Sequence, residues 1–245
     1  MLKIAIFNFK GGTGKSTTAL NLGAALAKAQ QKTLLIDLDG QRTLSFGLGV
    51  DGKKPSALDW LTNSGKPIEP ISSTVKNLFV LPGDLGMFQL QADRDIFTPS
   101  LNDLASLGFD VVLMDCPPGL GVAAVQAILA SDRVLLPTLC EPAALKGMSE
   151  AISLIREERQ QMPIEILRTR YRSRLVLTRE SDDLLIDAAA DLGYRLLHST
   201  IPENVQIAES IAQQQPILAY APKSVGGKAY LSVAKECMKL WEIKG

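Results

Sequence analysis

Cysteine is scarce in this chain. Three residues in 245, Cys116, Cys140 and Cys237, stand far apart and are odd in number. That excludes a disulfide framework and fits a reducing compartment. An excess of either charge is also missing, because 26 Lys and Arg balance 26 Asp and Glu. Whole-chain charge therefore draws no polyanion to the surface, and any such contact must come from a local basic patch. No apolar run approaches the roughly 20 residues that span a bilayer. Met1, Leu2, Lys3 and Ile4 lead straight into a strand-like run, so no signal peptide is expected. Internal repeats and low-complexity segments are lacking too.

What is present is ordinary for a globular protein: 46% apolar and 21% charged residues. The length most simply makes one domain, 1–245, able to bury a large core. Strand-like runs fall at Leu2–Asn8, Thr33–Asp37, Leu78–Leu81, Val111–Asp115, Val134–Thr138, Ile164–Thr169 and Arg195–Ile201. Most lack polar alternation, as strands buried on both faces do. Helical periodicity predicts Ser16–Ala29, Val122–Ala130, Leu145–Gln160, Ser181–Leu192 and Val225–Trp241. Repeated βα units imply an α/β fold of three layers: a mostly parallel twisted sheet with helices on both faces. Ligands of such folds bind at the carboxyl ends of the strands. Val50–Lys76 is richer in Gly, Pro, Ser and Asn and reads as an excursion with a short helix near Ala57–Leu61.

The first strand runs into Lys10, Gly11, Gly12, Thr13, Gly14, Lys15, Ser16 and Thr17, and a helix follows. Strand, glycine loop and helix is the setting in which backbone N–H groups cradle phosphates, helped by the helix N-terminus. It makes the fold a P-loop NTPase type. Lys15 reaches the β- and γ-phosphates, and the Ser16 hydroxyl ligates Mg²⁺. The plainer reading is a glycine-rich turn that opens a helix. Asp37 and Asp39 end the second strand, two residues apart and on one face. Asp115 ends another apolar strand before Cys116, Pro117, Pro118 and Gly119. Carboxylates placed so are costly unless a metal, water or cation meets them. Taken singly, each also suits a turn or a helix cap.

Phe9 stands where the ordinary phosphate loop has glycine, and Lys10 adds a second lysine. The loop thus resembles the deviant Walker A loop of the ParA/MinD family of ATPases. The resemblance continues through Asp37–Gln41, similar to D-x-D-P-Q with Gly40 for proline, and through Asp115–Pro118. It also covers Thr169–Arg174, with Arg172 for an acidic residue, and Ile201–Val205, with Glu203 for arginine. It implies ATP and Mg²⁺ as cofactors, with Ser16, Asp37 and Asp115 at the metal. Lys15 and Asp39 act in catalysis, Asp39 by orienting water, while Lys10 reaches across the interface of an ATP-bound homodimer. Gly40 implies a looser turn. Arg170 and Pro202 flank the adenine, and Lys146 lies near the dimer face. The family further implies slow hydrolysis stimulated by an adaptor of ParB or McdB kind. Its role would be partition or positioning of a plasmid, a chromosome region or a protein body such as a carboxysome, with the protein cytoplasmic and nucleoid-associated.

Arg168, Arg170, Arg172 and Arg174, with Lys223 and Lys228, form a candidate surface for non-specific DNA. The same arginine run also suits a solvated strand edge. Membrane attachment needs a basic amphipathic helix beyond the last packed one. The chain stops at Trp241–Gly245, so none is expected. Cys116 and Cys140 read as buried structural thiols. Two further readings compete with the switch: a nucleotide-gated scaffold with little turnover, and a metabolic enzyme, for which no second-substrate site is recognisable.

Overall fold

The computed structural model describes residues 1–62 and 68–243. Residues 63–67 of the Val50–Lys76 excursion, and the last two residues of Trp241–Gly245, lie outside the described residues.

Among the described residues the chain winds around an eight-stranded sheet. Its strands are β1 (Leu2–Ile6), β2 (Thr33–Asp37), β3 (Ile71–Ser72), β4 (Leu78–Leu81), β5 (Val111–Asp115), β6 (Arg133–Leu139), β7 (Ile164–Thr169) and β8 (Arg195–Leu196). Their order is β3-β4-β2-β5-β1-β6-β7-β8, and all neighbours are parallel except β3 and β4. Alternate residues of each strand feed two cores. Ala5, Leu34, Ile36, Val112 and Met114 face one, and Ile4, Ile6, Leu35, Val111 and Leu113 face the other. The first core is covered by α4 (Phe97–Ala105), α5 (Val122–Ala130), α6 (Pro142–Glu158) and α7 (Val176–Leu192). The second is covered mainly by α1 (Lys15–Lys28) and α10 (Val225–Leu240). This is the three-layer arrangement that the unbroken apolar strands imply. Trp241 is 5% exposed and packs in the second core, as the end of a packed helix should.

Several elements depart from their expected bounds. The strand expected over Arg195–Ile201 pairs only at Arg195 and Leu196. Beyond Leu197, the His198 and Ser199 N–H groups turn to the Glu236 carboxylate, which takes them out of the ladder. The helix expected from Ser181 starts at Val176, with Leu175, Val176 and Leu177 left exposed. Short helices α2 (Thr43–Gly47), α3 (Ala57–Thr62), α8 (Val205–Ala212) and α9 (Ile217–Tyr220) and the 3₁₀ turn Leu85–Gln89 complete the chain. Among the described residues no helix is long and apolar enough to cross a membrane.

Arg168, expected on a DNA surface, is instead an internal clamp. Its side chain is 10% exposed and donates to both Asp182 oxygens at 2.7 and 2.9 Å. It also donates to the Leu197 and His198 carbonyls at 2.6 and 3.2 Å. The Tyr171 hydroxyl donates a third hydrogen bond to Asp182, at 2.9 Å. The guanidinium thereby ties β7 to α7 and to the chain after β8. Phosphates cannot compete for a cation committed in this way. Removing one partner of a buried pair strands the other charge, so Asp182→Ala should cost about 3 kcal/mol in urea unfolding. Arg168→Met combined with Asp182→Leu should regain most of that loss. An unchanged midpoint in Asp182→Ala would show that the pair is not buried in solution.

Candidate functional site

The loop between β1 and α1 takes its shape from two glycines and several distant tethers. Gly12 and Gly14 have φ of 75° and 90°, the left-handed region that favours glycine. Gly14 caps α1 without any side-chain bond, and the first turn holds no acidic residue. The opening N–H groups of α1 are therefore available to an anion. Lys15 folds back over the loop, its Nζ 3.2 Å from the Lys10 carbonyl. Asn8 holds the loop base, accepting from Lys10 N at 3.0 Å and donating to the Pro137 carbonyl at 2.9 Å. The Thr169 hydroxyl, at the end of β7, is 2.7 Å from the Thr13 carbonyl and 3.1 Å from that of Thr138.

Above the loop opens a cavity of about 760 Å³. Gly11, Gly12, Gly14, Lys15, Ser16 and Thr17 form its floor. Arg170 and Pro202 line its far side, and Asp39 its near side. Thr13 does not line it. Its buried hydroxyl lies 3.4 Å from the Lys10 carbonyl, so its side chain serves the shape of the loop. Lys10 is also absent from the lining, and among the described residues its ammonium has no partner. Sequence reasoning missed the apolar wall of Ile201, Val205, Ile207, Ala208 and Ile211, whose residues resemble any helical face.

Beside the loop lie two buried carboxylates. Parallel pairing sets Asp37 level with Asp115 at the ends of β2 and β5. Asp37 is well satisfied. It accepts from Ser45 N at 2.9 Å, Ser45 Oγ at 2.5 Å and Asp39 N at 3.2 Å. Burial nonetheless pushes its carboxyl up to about 6, against those hydrogen bonds. Both Asp115 oxygens are buried and accept from no main-chain N–H, and the Ser16 hydroxyl is the neutral group that approaches them. Burial and then the Asp37 charge raise its carboxyl well above the ordinary range, while Ser16 and Lys15 pull it down. Burial lowers the Lys15 ammonium, and the Asp115 charge opposes that. Ser45, eight residues beyond Asp37, carries no sequence signal for its role.

The Gly40 turn is not loose. Asp39 Oδ1 accepts from Gln41 N at 2.9 Å, and the Asp39 carbonyl accepts from Arg42 N at 2.9 Å. Gly40 itself is buried. Cys116 and Cys140 are buried free thiols, as expected. Burial raises both, Cys140 to about 12.

The two departures from the family pattern meet in one ion pair. Arg172 donates to both Glu203 oxygens, Nη2 to Oε1 at 2.7 Å, and Arg170 Nη2 adds a contact at 3.1 Å. The two arginines hold the Glu203 carboxyl down at about 2. Arg172 is thus committed to a carboxylate rather than open to DNA. Arg174, Lys223 and Lys228 are exposed and form no ion pair among the described residues. Lys146 is exposed on α6.

Comparison with known proteins matches this geometry. The family described as AAA domain matches residues 1–166. Sporulation initiation inhibitor protein Soj of Bacillus subtilis is 31% identical over 254 residues, covering 95% of this chain and 96% of Soj. Chromosome partitioning protein ParA of Caulobacter vibrioides is 32% identical over 253 residues, covering 95% of this chain and 92% of that protein. Among solved structures, the septum site-determining protein MinD of Pyrococcus horikoshii, complexed with Mg-ADP, superposes with a TM-score of 0.83. It is 30% identical and covers 100% of this chain and 99% of its own. A phosphate loop with a second lysine, set in this fold and matched along nearly the whole chain, places the protein in the ParA/MinD family of ATPases.

Proposed function

We propose that the chain works as one unit, an ATP-driven dimerisation switch that binds DNA without reading sequence and positions a cargo. The observation that carries this reading is Lys10. Its ammonium has no partner among the described residues and lies outside the cavity its own loop builds. A cation so placed can serve a phosphate group held by a second copy of the chain. Two polyphosphates facing each other repel, and the added lysine offsets that charge. The adenine rests against the apolar wall, flanked by Arg170 and Pro202.

The metal reading rests on Asp115. A buried carboxylate that no main-chain N–H meets, with the Ser16 hydroxyl beside it, fits a divalent cation better than it fits a dry interior. Ser16 and Asp115 would hold Mg²⁺, with Asp37 adding negative charge from its hydrogen-bonded position. Among the described residues no group of three or more His, Cys, Asp or Glu could hold a metal ion alone. Phosphate oxygens and water complete the shell, as is usual for Mg²⁺. Bound there, the ion would neutralise charge on the β- and γ-phosphates. Asp39, at the cavity edge, orients the attacking water through its second oxygen. The first is engaged by Gln41 N. Hydrolysis is slow, stimulated by an adaptor of ParB or McdB kind, and ends the dimer. The protein is cytoplasmic and associates with the nucleoid through DNA. The cargo is a plasmid, a chromosome region or a protein body.

Lys10→Ala should leave ATP bound to the monomer and abolish ATP-induced dimerisation in analytical ultracentrifugation. Asp39→Ala should dimerise with ATP and release phosphate at least tenfold more slowly. Dimerisation of Lys10→Ala at wild-type ATP concentrations would remove the trans-lysine reading.

DNA binding should require ATP, be indifferent to duplex sequence and fall steeply between 50 and 200 mM salt. Arg174→Ala with Lys223→Ala should weaken it for every duplex alike, whereas Arg172→Ala should weaken it less. No binding at low salt with ATP present would rule the DNA part out.

The sign of the Asp37 shift gives a pH test. Its carboxyl titrates near 6 when folded and near 3.9 when unfolded. The folded state therefore binds more protons between those values, and this stabilising contribution is lost as pH rises through that window. In EDTA, wild type should lose stability relative to Asp37→Asn between pH 4 and 7, on the order of 2–3 kcal/mol. Parallel pH profiles in urea unfolding would refute this.

A further inference from the structure

Gly40 has no left-handed φ, so its backbone would accept any residue. Space is what excludes a side chain. A Cβ at Gly40 would lie 2.6 Å from both Cδ2 and Cε2 of Phe88 and 2.8 Å from its Cγ. The ring occupies the place a side chain of residue 40 would take. Phe88 is 59% exposed, so core burial does not hold it there. Its own segment does. Asp84 caps the 3₁₀ turn by accepting from Gly86 N at 2.8 Å, and its other oxygen is 2.8 Å from Lys54 Nζ. Met87, the neighbour of Phe88, is buried in the core.

The same segment grips the aspartates. Gly83 N donates to Ser45 Oγ at 2.8 Å, and Ser45 Oγ donates to Asp37 Oδ2 at 2.5 Å. A Cβ at Gly83 would lie 3.0 Å from Asp37 Cγ and from the Asp39 carbonyl. Residues 83–88 thus cover the whole turn from Asp37 to Gly40, touching it at both ends.

We propose, resting on the reading that Asp39 orients the attacking water, that Phe88 is a positioning residue for ATP hydrolysis, its ring holding the Asp39–Gly40 turn from outside. Glycine is the residue with most backbone freedom, and here it adjoins the group that must be placed to within a fraction of an ångström. The ring removes that freedom without a covalent side chain at position 40. Phe88 is not among the residues that line the cavity. Its effect falls on the chemical step and leaves ATP affinity alone.

The test is single-turnover and steady-state ATPase kinetics on the full chain with Mg²⁺ and duplex DNA, alongside ATP affinity and Tm. Phe88→Ala should lower kcat roughly tenfold with KM and ATP affinity within about twofold of wild type. Phe88→Leu, which keeps bulk over Gly40, should recover most of the rate. Gly40→Ala separates positioning from general packing. With Phe88 present it displaces the ring and slows turnover. Added to Phe88→Ala it stiffens an uncovered turn and speeds turnover. That reversal of sign is the coupling a merely structural role does not produce. If Asp39→Ala is inactive and Phe88→Ala turns over at the wild-type rate, the Phe88 role is wrong and the Asp39 reading stands. Wild-type turnover in Asp39→Ala overturns the Asp39 reading and the Phe88 role with it. Additive effects of the two substitutions overturn the coupling.

Discussion

Asp37 and Asp115 stand side by side at the carboxyl ends of neighbouring buried strands, and the rest of the site is arranged around that pair. Parallel pairing brings strand ends level, so residue-by-residue register makes the two carboxylates neighbours. The protein answers them unequally. Asp37 is wrapped by Ser45 and the Asp39 backbone, whereas the Asp115 carboxylate meets no main-chain N–H and has only the Ser16 hydroxyl near it. Charge there is tolerable only if a cation meets it. Lys15 is near enough to matter, but its own ammonium is weakened by burial and turned toward the Lys10 carbonyl. The site therefore holds a negative potential that a metal–nucleotide complex resolves better than the chain does.

The phosphate loop depends equally on elements far from it in sequence. Its left-handed glycines permit the shape, and Asn8 and Thr169 hold it by bonds to β6 and from β7. β7 also carries Arg168, which locks α7 in place, and leads into Arg170 at the cavity edge. One strand end thus joins the glycine loop, the cavity wall at Arg170 and the exposed start of α7. A ligand that changes the loop has a short, stiff route to the surface.

Much of this was legible before any coordinates. Unbroken apolar runs such as Thr33–Asp37 and Val111–Asp115 are what strands buried on both faces look like, and ligands of such sheets bind at the carboxyl ends, where these aspartates stand. The glycine loop and its lysines announce their chemistry through type and spacing. What escaped depended on partners distant in sequence. Arg168 reads as one of four alternating arginines, and only Asp182 on a packed helix makes it internal. Gly40 reads as a slack turn until Phe88, 48 residues on, is seen to fill its side-chain space. Ser45 and the apolar wall of α8 are common residues in common patterns, given meaning by position alone. Helix starts were missed where the first turn is apolar and exposed, as at Val176.

The ion pair at the cavity mouth bears on the proposed switch. Glu203 offsets one of the two arginine charges beside it, so the mouth carries less positive charge than the arginine run alone would give it. With Arg168 internal and Arg170 and Arg172 turned to Glu203, the arginine run leaves Arg174 as its unpaired exposed cation among the described residues, and Lys223 and Lys228 are exposed elsewhere in the chain. About three phosphate contacts hold a duplex weakly at physiological salt. Two copies held rigidly together present about six, and the second set engages at a high effective concentration. Under the proposed switch, few basic side chains would be an advantage. They would keep the monomer off DNA and make binding follow dimerisation, so that a Lys10 contact across ATP would govern an affinity that no single subunit possesses.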